Sequence, residues 1–503
     1  MLSMFVAGFA SVFTPAGLLM IVLGVFVGII FGCIPGLTTT MAVALCLPLT
    51  FGMDPSAAMS LLMGLYIGGT SGGLISAILI NIPGTPASVA TCFDGHPMAR
   101  RGEAGKALGA GVVFSFIGTL LSIVVLIFLA PPLAEFALQF GPVEYFALAL
   151  FSLTMIGTLA GKNLAKGIFV GLLGMVLAFV GMAPIDAYSR FTFGIHDLDG
   201  GFDILPALIG LFAVSEILKT AEGGFALNKG NVLTDFKIKG FGFSLQEFFG
   251  QTVNMIRSAL IGIGIGILPG IGAGTANLVA YGVAKSRSKT PEKFGTGILD
   301  GVVASETANN ATIGGAIVPL LTLGIPGDTV TAMILGGLMI HGLTPGPLLF
   351  INNGAVVYGI FISLIIANFA MLAMEFFGLR VFTQMLRIPK HILLPVIFAL
   401  CVVGAFGLNN RVFDVWVVLF FGVLGYVLTK LKFPTTPLIL GIILGPMAET
   451  GFRRGLQMYS GEFLQFFTRP IADVFFFATV FMIVLTGLGN ARKRKKEAAS
   501  AKT

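Results

Sequence analysis

The chain has 503 residues, of which 56% are hydrophobic and only 11% charged, with a formal net charge of +7 and a mean hydropathy of +0.97. Soluble domains carry about 25% charged residues, and no single aqueous core hides this much apolar surface. The composition therefore excludes a soluble enzyme or binding module and predicts an all-α, polytopic integral membrane protein with lipid as its solvent. The basic excess does not point to nucleic acid, because it sits in short loops and at the tail, where it sets orientation.

Apolar stretches long enough to span, about 17 to 25 residues, or somewhat shorter, recur along the whole chain. In the first half they are 17–34, 57–80, 108–130, 145–159, 167–182 and 204–218. In the second they are 256–284, 301–323, 356–377, 392–406, 415–428, 438–446 and 474–488. About a dozen helical elements result. Residues 221–251 are less apolar and read as a polar linker between a first half (1–220) and a second repeat (252–350), followed by C-terminal helices (351–490) and a basic tail (491–503).

Basic loops alternate with loops poor in bases. Arg100, Arg101 and Lys106 form one, Lys285, Arg287, Lys289 and Lys293 another, and the tail carries a run from Arg492 to Lys496. The positive-inside rule places these, and so the C-terminus, in the cytoplasm. The loop 449–469 is the exception, with three arginines on a side that must face out. The cysteines Cys33, Cys46, Cys92 and Cys401 show neither metal-ligand spacing nor a disulfide framework. No cleavable signal peptide is evident.

An internal repeat is the most informative feature. Gly28-Ile29-x-x-Gly32-x-x-Pro35-Gly36 matches Gly262-Ile263-x-x-Gly266-x-x-Pro269-Gly270, and Ile82-Pro83-Gly84-Thr85 matches Ile325-Pro326-Gly327-Asp328. Broken-helix motifs are thus expected near 28–40 and 70–88, and again near 262–277 and 306–329. The loop 51–54 carries no base while its counterpart 285–293 is strongly basic, which predicts two inverted-topology repeats with re-entrant segments. The plainer alternative is that each Pro-Gly pair ends a helix at a loop.

A helix broken in mid-membrane offers N–H groups to an anion and carbonyls to a cation. The expected substrate-binding residues are Pro35, Gly36, Thr38, Thr39 and Thr40 at the first break and Gly84 and Thr85 at the second. Gly270, Gly272, Gly274, Thr275, Asn277 and Gly327 are their counterparts. These are bare-backbone, hydroxyl and amide positions, although a helical Thr also bonds back to its own turn. Expected for cation binding or coupling are Asn81, Glu306, Asn309, Asn310, Asp328 and Thr329. An intramembrane acid marks a pathway unless Glu306 sits at a membrane edge or in a structural pair, and Asp328 also suits a helix cap.

No catalytic or metal constellation stands out. The histidines are scattered at 96, 196, 341 and 391, and no serine lies in a nucleophile motif. Gly270-x-Gly272-x-Gly274 lacks a preceding strand and a Walker lysine. Without a nucleotide site or other cofactor, energy must come from an ion gradient or a partner. An intramembrane enzyme and a non-transporting scaffold subunit are the rival classes.

Several runs resemble one known family. They are Phe31-Gly32-Cys33-Ile34-Pro35-Gly36-Leu37, then Asn81 through Ser88 with Phe93-Asp94-Gly95-His96-Pro97-Met98-Ala99. The run from Glu306 to Gly327 and His341 to Pro347 complete the set. Together they resemble the large membrane subunit, TctA, of the tripartite tricarboxylate transporters; His96 stands where that pattern has a Tyr. The resemblance implies a bacterial inner-membrane carrier working with a small TctB-like membrane subunit and a periplasmic TctC-like binding protein. It implies secondary transport coupled to Na+ or H+, an elevator-like movement, and a tricarboxylate such as citrate, with dicarboxylates and aromatic acids as alternatives.

Overall fold

A computed structural model describes residues 2–159, 164–222, 242–386, 388 and 390–500. Residues 223–241 of the expected linker and 501–503 of the tail lie outside them. The described chain is almost wholly helical, and its one sheet is a two-stranded hairpin, Gly181–Met182 with Ser189–Arg190. Among the described residues, seven helices are long and apolar enough to cross a membrane, and shorter apolar helices accompany them. The protein is a multi-pass membrane protein.

By contacts the chain forms two compact units, residues 1–137 with 208–426, and 138–207 with 427–503. In the first, the elements that matter are α1 (Pro15–Cys33), α2 (Thr39–Cys46), α3 (Pro55–Ile80), α4 (Val89–Met98) and α5 (Ala104–Ala137). The later ones are α6 (Thr252–Ile267), α7 (Gly272–Arg287), α8 (Leu299–Leu323), α9 (Thr329–Ile340) and α10 (Gly354–Met385). The stretch 256–284, read as a single span, is divided here into α6 and α7 by Leu268–Ile271 around Pro269, which has no N–H to continue the ladder.

Local chemistry sets the ends. Thr14 caps α1 by accepting from Gly17 N at 3.0 Å, with Pro15 at the first helical position. Asp54 caps α3 through the amides of Ser56 and Ala57 at 2.9 and 3.3 Å. Both long helices finish on a left-handed residue, Asn81 (φ 55°) for α3 and Gly324 (φ 71°) for α8. Ile-Pro-Gly follows each.

The same order of elements therefore occurs twice: α1, break, α2, α3, break, α4, and then α6, break, α7, α8, break, α9. The packing also repeats. Gly32 sits on the carbonyl of Gly69, and a Cβ on the equivalent Gly266 would lie 2.6 Å from the equivalent carbonyl, Thr312 O. Gly84 sits directly on the carbonyl of Gly32, and Gly327 sits on that of Gly266, where a Cβ would be 2.5 Å away. Gly84 and Gly327 are equivalent positions, as are Gly32 and Gly266. Small residues let these backbones touch, which is how helices associate where lipid removes the hydrophobic drive.

In the second unit, Val143, Ala147, Phe466 and Ala472 form a core. Buried Glu144 accepts from Arg469 Nε at 2.8 Å. Arg190 grips Glu449 with two hydrogen bonds of 2.7 and 3.1 Å, and Arg453 joins Glu449 at 3.2 Å and also pairs with Asp186. Two of the three arginines of the exceptional loop are thus structural partners of acids.

Candidate functional site

The breaks of the two repeats meet crosswise. At the first break Gly36 turns in the left-handed region (φ 94°), and Thr38 caps α2 by accepting from Met41 N at 3.1 Å. Thr39 is buried against Gly69, where a Cβ would lie 2.6 Å from its methyl. Thr40 hydrogen-bonds Thr329, at the start of α9, with oxygens 2.9 Å apart. In the other repeat Gly270 and Gly272 take φ of 77° and 68° to open α7. Gly274 faces the turn before α4, where a Cβ would be 3.3 Å from Pro86 O, and Asn277 Nδ2 donates to Ala87 O. Thr40 and Gly274 are equivalent positions, and so are Thr329 and Pro86. One contact is made twice, α2 with α9 and α7 with the turn at Pro86–Ser88, as a two-fold exchange requires.

The second breaks differ in their chemistry. Asp328 caps α9 through Thr331 N at 2.7 Å and takes the Tyr66 hydroxyl at 2.6 Å. The equivalent residues in the other repeat are Thr85 for Asp328 and Asn309 for Tyr66. Both pairs of side chains are shorter there. Among the described residues, neither Nδ2 nor Oδ1 of buried Asn309 has a hydrogen-bond partner, while Thr85 forms a capping box with Ser88. The ladder between α4 and α8 sets their level. Gly301 lies against Asp94, and Thr91 donates to Ser305 Oγ at 3.2 Å. The turn at Pro86–Ser88 also packs against α8.

Glu306 is fully buried about two turns into α8. Among the described residues no cation holds it: Thr91 donates to Oε1, and Ser115 donates to Oε2 at 3.1 Å. Asn310 Nδ2 bonds Ser115 Oγ at 2.8 Å and Glu306 O at 3.1 Å, leaving its own Oδ1 unpartnered. A buried carboxylate with only neutral partners has to be protonated or joined by a cation.

Not every expected residue converges. Thr275 lies on an exposed face and bonds back to Ile271 O at 3.4 Å. Asn81 lines a separate cleft with His96 and Arg100. Two groups escaped the sequence reading. Glu375 of α10 is fully buried, accepts from Ser71 Oγ at 2.8 Å and leaves Oε1 unpartnered. Lys390 stands at the first break, where a Cβ on Gly36 would lie 3.4 Å from both its Nζ and Thr220 Oγ1. The signal for Glu375 was an acid inside an apolar run; Lys390 gave none beyond its charge.

Residues 18–440 match the family model of the tripartite tricarboxylate transporter TctA family. Among curated relatives, an uncharacterized 52.8 kDa protein in the TAR-I ttuC' 3' region of Agrobacterium vitis is 34% identical over 488 residues, 97% of this chain and 96% of the relative. A second uncharacterized protein of that organism, in the TAR-II ttuC' 3' region, is 36% identical over 233 residues, 46% of this chain and 96% of its own.

Proposed function

Because the chain belongs to the tripartite tricarboxylate transporter TctA family, whose members are membrane transport components, we propose that it carries a tricarboxylate such as citrate through the crossed breaks of its two repeats. A dicarboxylate or an aromatic acid is the alternative substrate. The observation that carries the reading is the pair of half-helix starts, buried at Thr39–Thr40 and half-buried at Gly270–Gly274, each seated against the opposite repeat. Amides at such starts favour a carboxylate, and Lys390 at the first break supplies a compensating charge. Glu306, Asn309, Asn310 and Thr85 take the coupling cation, Na+ or H+, because all four are buried, Glu306 is an acid with only neutral donors, and the amide oxygens of Asn309 and Asn310 lack partners among the described residues. Asn81, Asp328 and Thr329 stay candidates for the same role.

The working assembly includes a TctB-like small subunit and a periplasmic TctC-like binding protein in the bacterial inner membrane, with the C-terminus cytoplasmic. Alternation proceeds by movement of the repeats. The test is uptake of labelled citrate into vesicles holding all three proteins, with and without an inward Na+ gradient. Sodium-stimulated, binding-protein-dependent uptake is expected. Thr39→Ala, Asn277→Ala and Glu306→Ala should each cut it at least tenfold at normal membrane abundance. Unchanged uptake in all three variants would move the scaffold reading ahead. Cysteines placed at Met53 and Ser288 should label from opposite sides; same-side labelling would sink the inverted arrangement.

A further inference from the structure

We propose that the cleft walled by Asn81, Phe93, His96, Arg100, Arg101 and Thr296 is a second carboxylate site, a vestibule where the transported acid docks beside the Asn81–Thr85 break. It rests on the transport reading above. The cleft encloses about 620 Å³, within the range of small-molecule sites and ample for an acid of a dozen or so heavy atoms.

Its wall is rigid. Buried Asp94 accepts from the amides of Gly295, Gly297 and Ile298 at 2.9, 2.7 and 3.0 Å and from the Tyr281 hydroxyl at 2.8 Å. Arg101 donates to Thr296 O at 2.5 Å, to Gly297 O and to Glu103. Arg101 and the nearest acid are thus committed to each other and to the wall.

Arg100 is different. It lines the cleft, is exposed, and has no hydrogen bond or ion pair among the described residues. Beside it, His96 donates Nδ1–H to Ile78 O at 3.0 Å, which leaves the Nε2 lone pair to accept from a hydroxyl of the acid. Phe93, 41% exposed and edge-on to Tyr281 at 5.3 Å, offers an apolar floor for a carbon skeleton. A free guanidinium, an imidazole and an amide around an aromatic face are the groups that hold an organic carboxylate.

The repeat supplies a control. The positions equivalent to Asn81, Phe93, His96 and Arg100 are Gly324, Gly336, Met339 and Leu343. The shared fold therefore does not require these polar and basic groups. They were added to one end of one repeat only, where a positive mouth concentrates anions.

The experiment uses the full chain with its partner subunits in vesicles. Phe93→Cys is introduced after Cys33, Cys46, Cys92 and Cys401 have been replaced by Ala, and maleimide labelling is timed with citrate, succinate or benzoate. The transported acid should slow labelling about fivefold. Arg100→Ala should raise the half-protecting concentration at least tenfold, whereas Thr39→Ala, which perturbs the breaks, should leave protection in place. In the otherwise native chain, Arg100→Ala should raise KM for uptake about tenfold with little change in kcat, and Arg100→Lys should restore part of it. Intact uptake without protection by the acid carried overturns the vestibule alone. Protection that survives Arg100→Ala but disappears with Thr39→Ala also overturns it, since labelling then reports a movement of the breaks. If the labelled chain does not assemble, an unchanged KM in Arg100→Ala overturns it. Absence of uptake for every acid, with all subunits present, sinks the transport reading instead.

Discussion

Two glycines on α6 allow the contact between repeat helices to be weighed directly. A Cβ on Gly266 would lie 2.6 Å from Thr312 O, 3.0 Å from Ala316 N and 3.1 Å from the Cα of Gly315, all rigid backbone of α8. A Cβ on Gly264, two residues earlier and on the opposite, exposed face of α6, would meet nothing within 4 Å. Gly to Ala gains about 1 kcal/mol of helix propensity at either position, so that gain cancels in the comparison. What remains is overpacking, about 1 to 3 kcal/mol against Gly266→Ala. The upper half of that range is expected, because no flexible side-chain end can move aside and because Gly327 also sits on the Gly266 carbonyl. Equilibrium unfolding in mixed micelles with rising SDS, followed by far-ultraviolet circular dichroism, reads the difference. Gly264→Ala should unfold at a midpoint equal to or above that of the native chain, and Gly266→Ala clearly below it. Midpoints that coincide for the two variants would refute backbone contact between α6 and α8.

Four further outcomes are expected. Glu375→Leu should remove uptake while Glu375→Gln, which still accepts from Ser71, preserves the fold; uptake that is normal in both variants would leave Glu375 purely structural. Lys390→Met should raise KM for the acid several-fold without changing membrane abundance, and an unchanged KM would remove its carboxylate role. Arg469→Ala leaves Glu144, only 3% exposed, without its cation, and breaking such a pair destabilises by about 3 kcal/mol or more; protease resistance of the unit containing 138–207 should fall accordingly. The Lys106 ammonium, with the Ser244 amide beside it, holds the Glu247 carboxyl down at about 2 from an ordinary 4.5. A depressed carboxylate stabilises above its unfolded value, so this contribution is present at neutral pH and fades as pH falls from about 4.5 toward 2. Lys106→Met should weaken that acid dependence, leaving the part due to the Ser244 amide.

The breaks were legible because proline lacks an N–H and glycine reaches left-handed φ, so Pro35-Gly36 and Pro269-Gly270 announce a helix stop whatever surrounds them. The pairing of those breaks was not. Nothing in a linear pattern says that Thr40 meets Thr329, because the partners are 289 residues apart and each is a small hydroxyl residue unremarked beside its neighbours. Glu306 was legible as an acid in an apolar run, while its partners Thr91 and Ser115 were not, since lone hydroxyls in membrane helices usually bond their own turn. Glu375 was passed over for a reason of length. The apolar run seemed to end at residue 377, which placed the acid at a border; α10 continues to Met385 and so carries Glu375 inside. The extra charges of loop 449–469 looked anomalous because charge counting cannot see that Arg453 and Arg469 have acidic partners, Asp186 and Glu144, elsewhere in the chain.

The crossed seating of the breaks has a consequence for how the halves of the chain depend on each other. Neither repeat finishes its own ends: α2 leans on α9, and α7 leans on the turn at Pro86. A fragment carrying a single repeat would leave both ends bare in the bilayer, with uncovered amides that lipid cannot satisfy. The two halves are therefore complements and not spare copies.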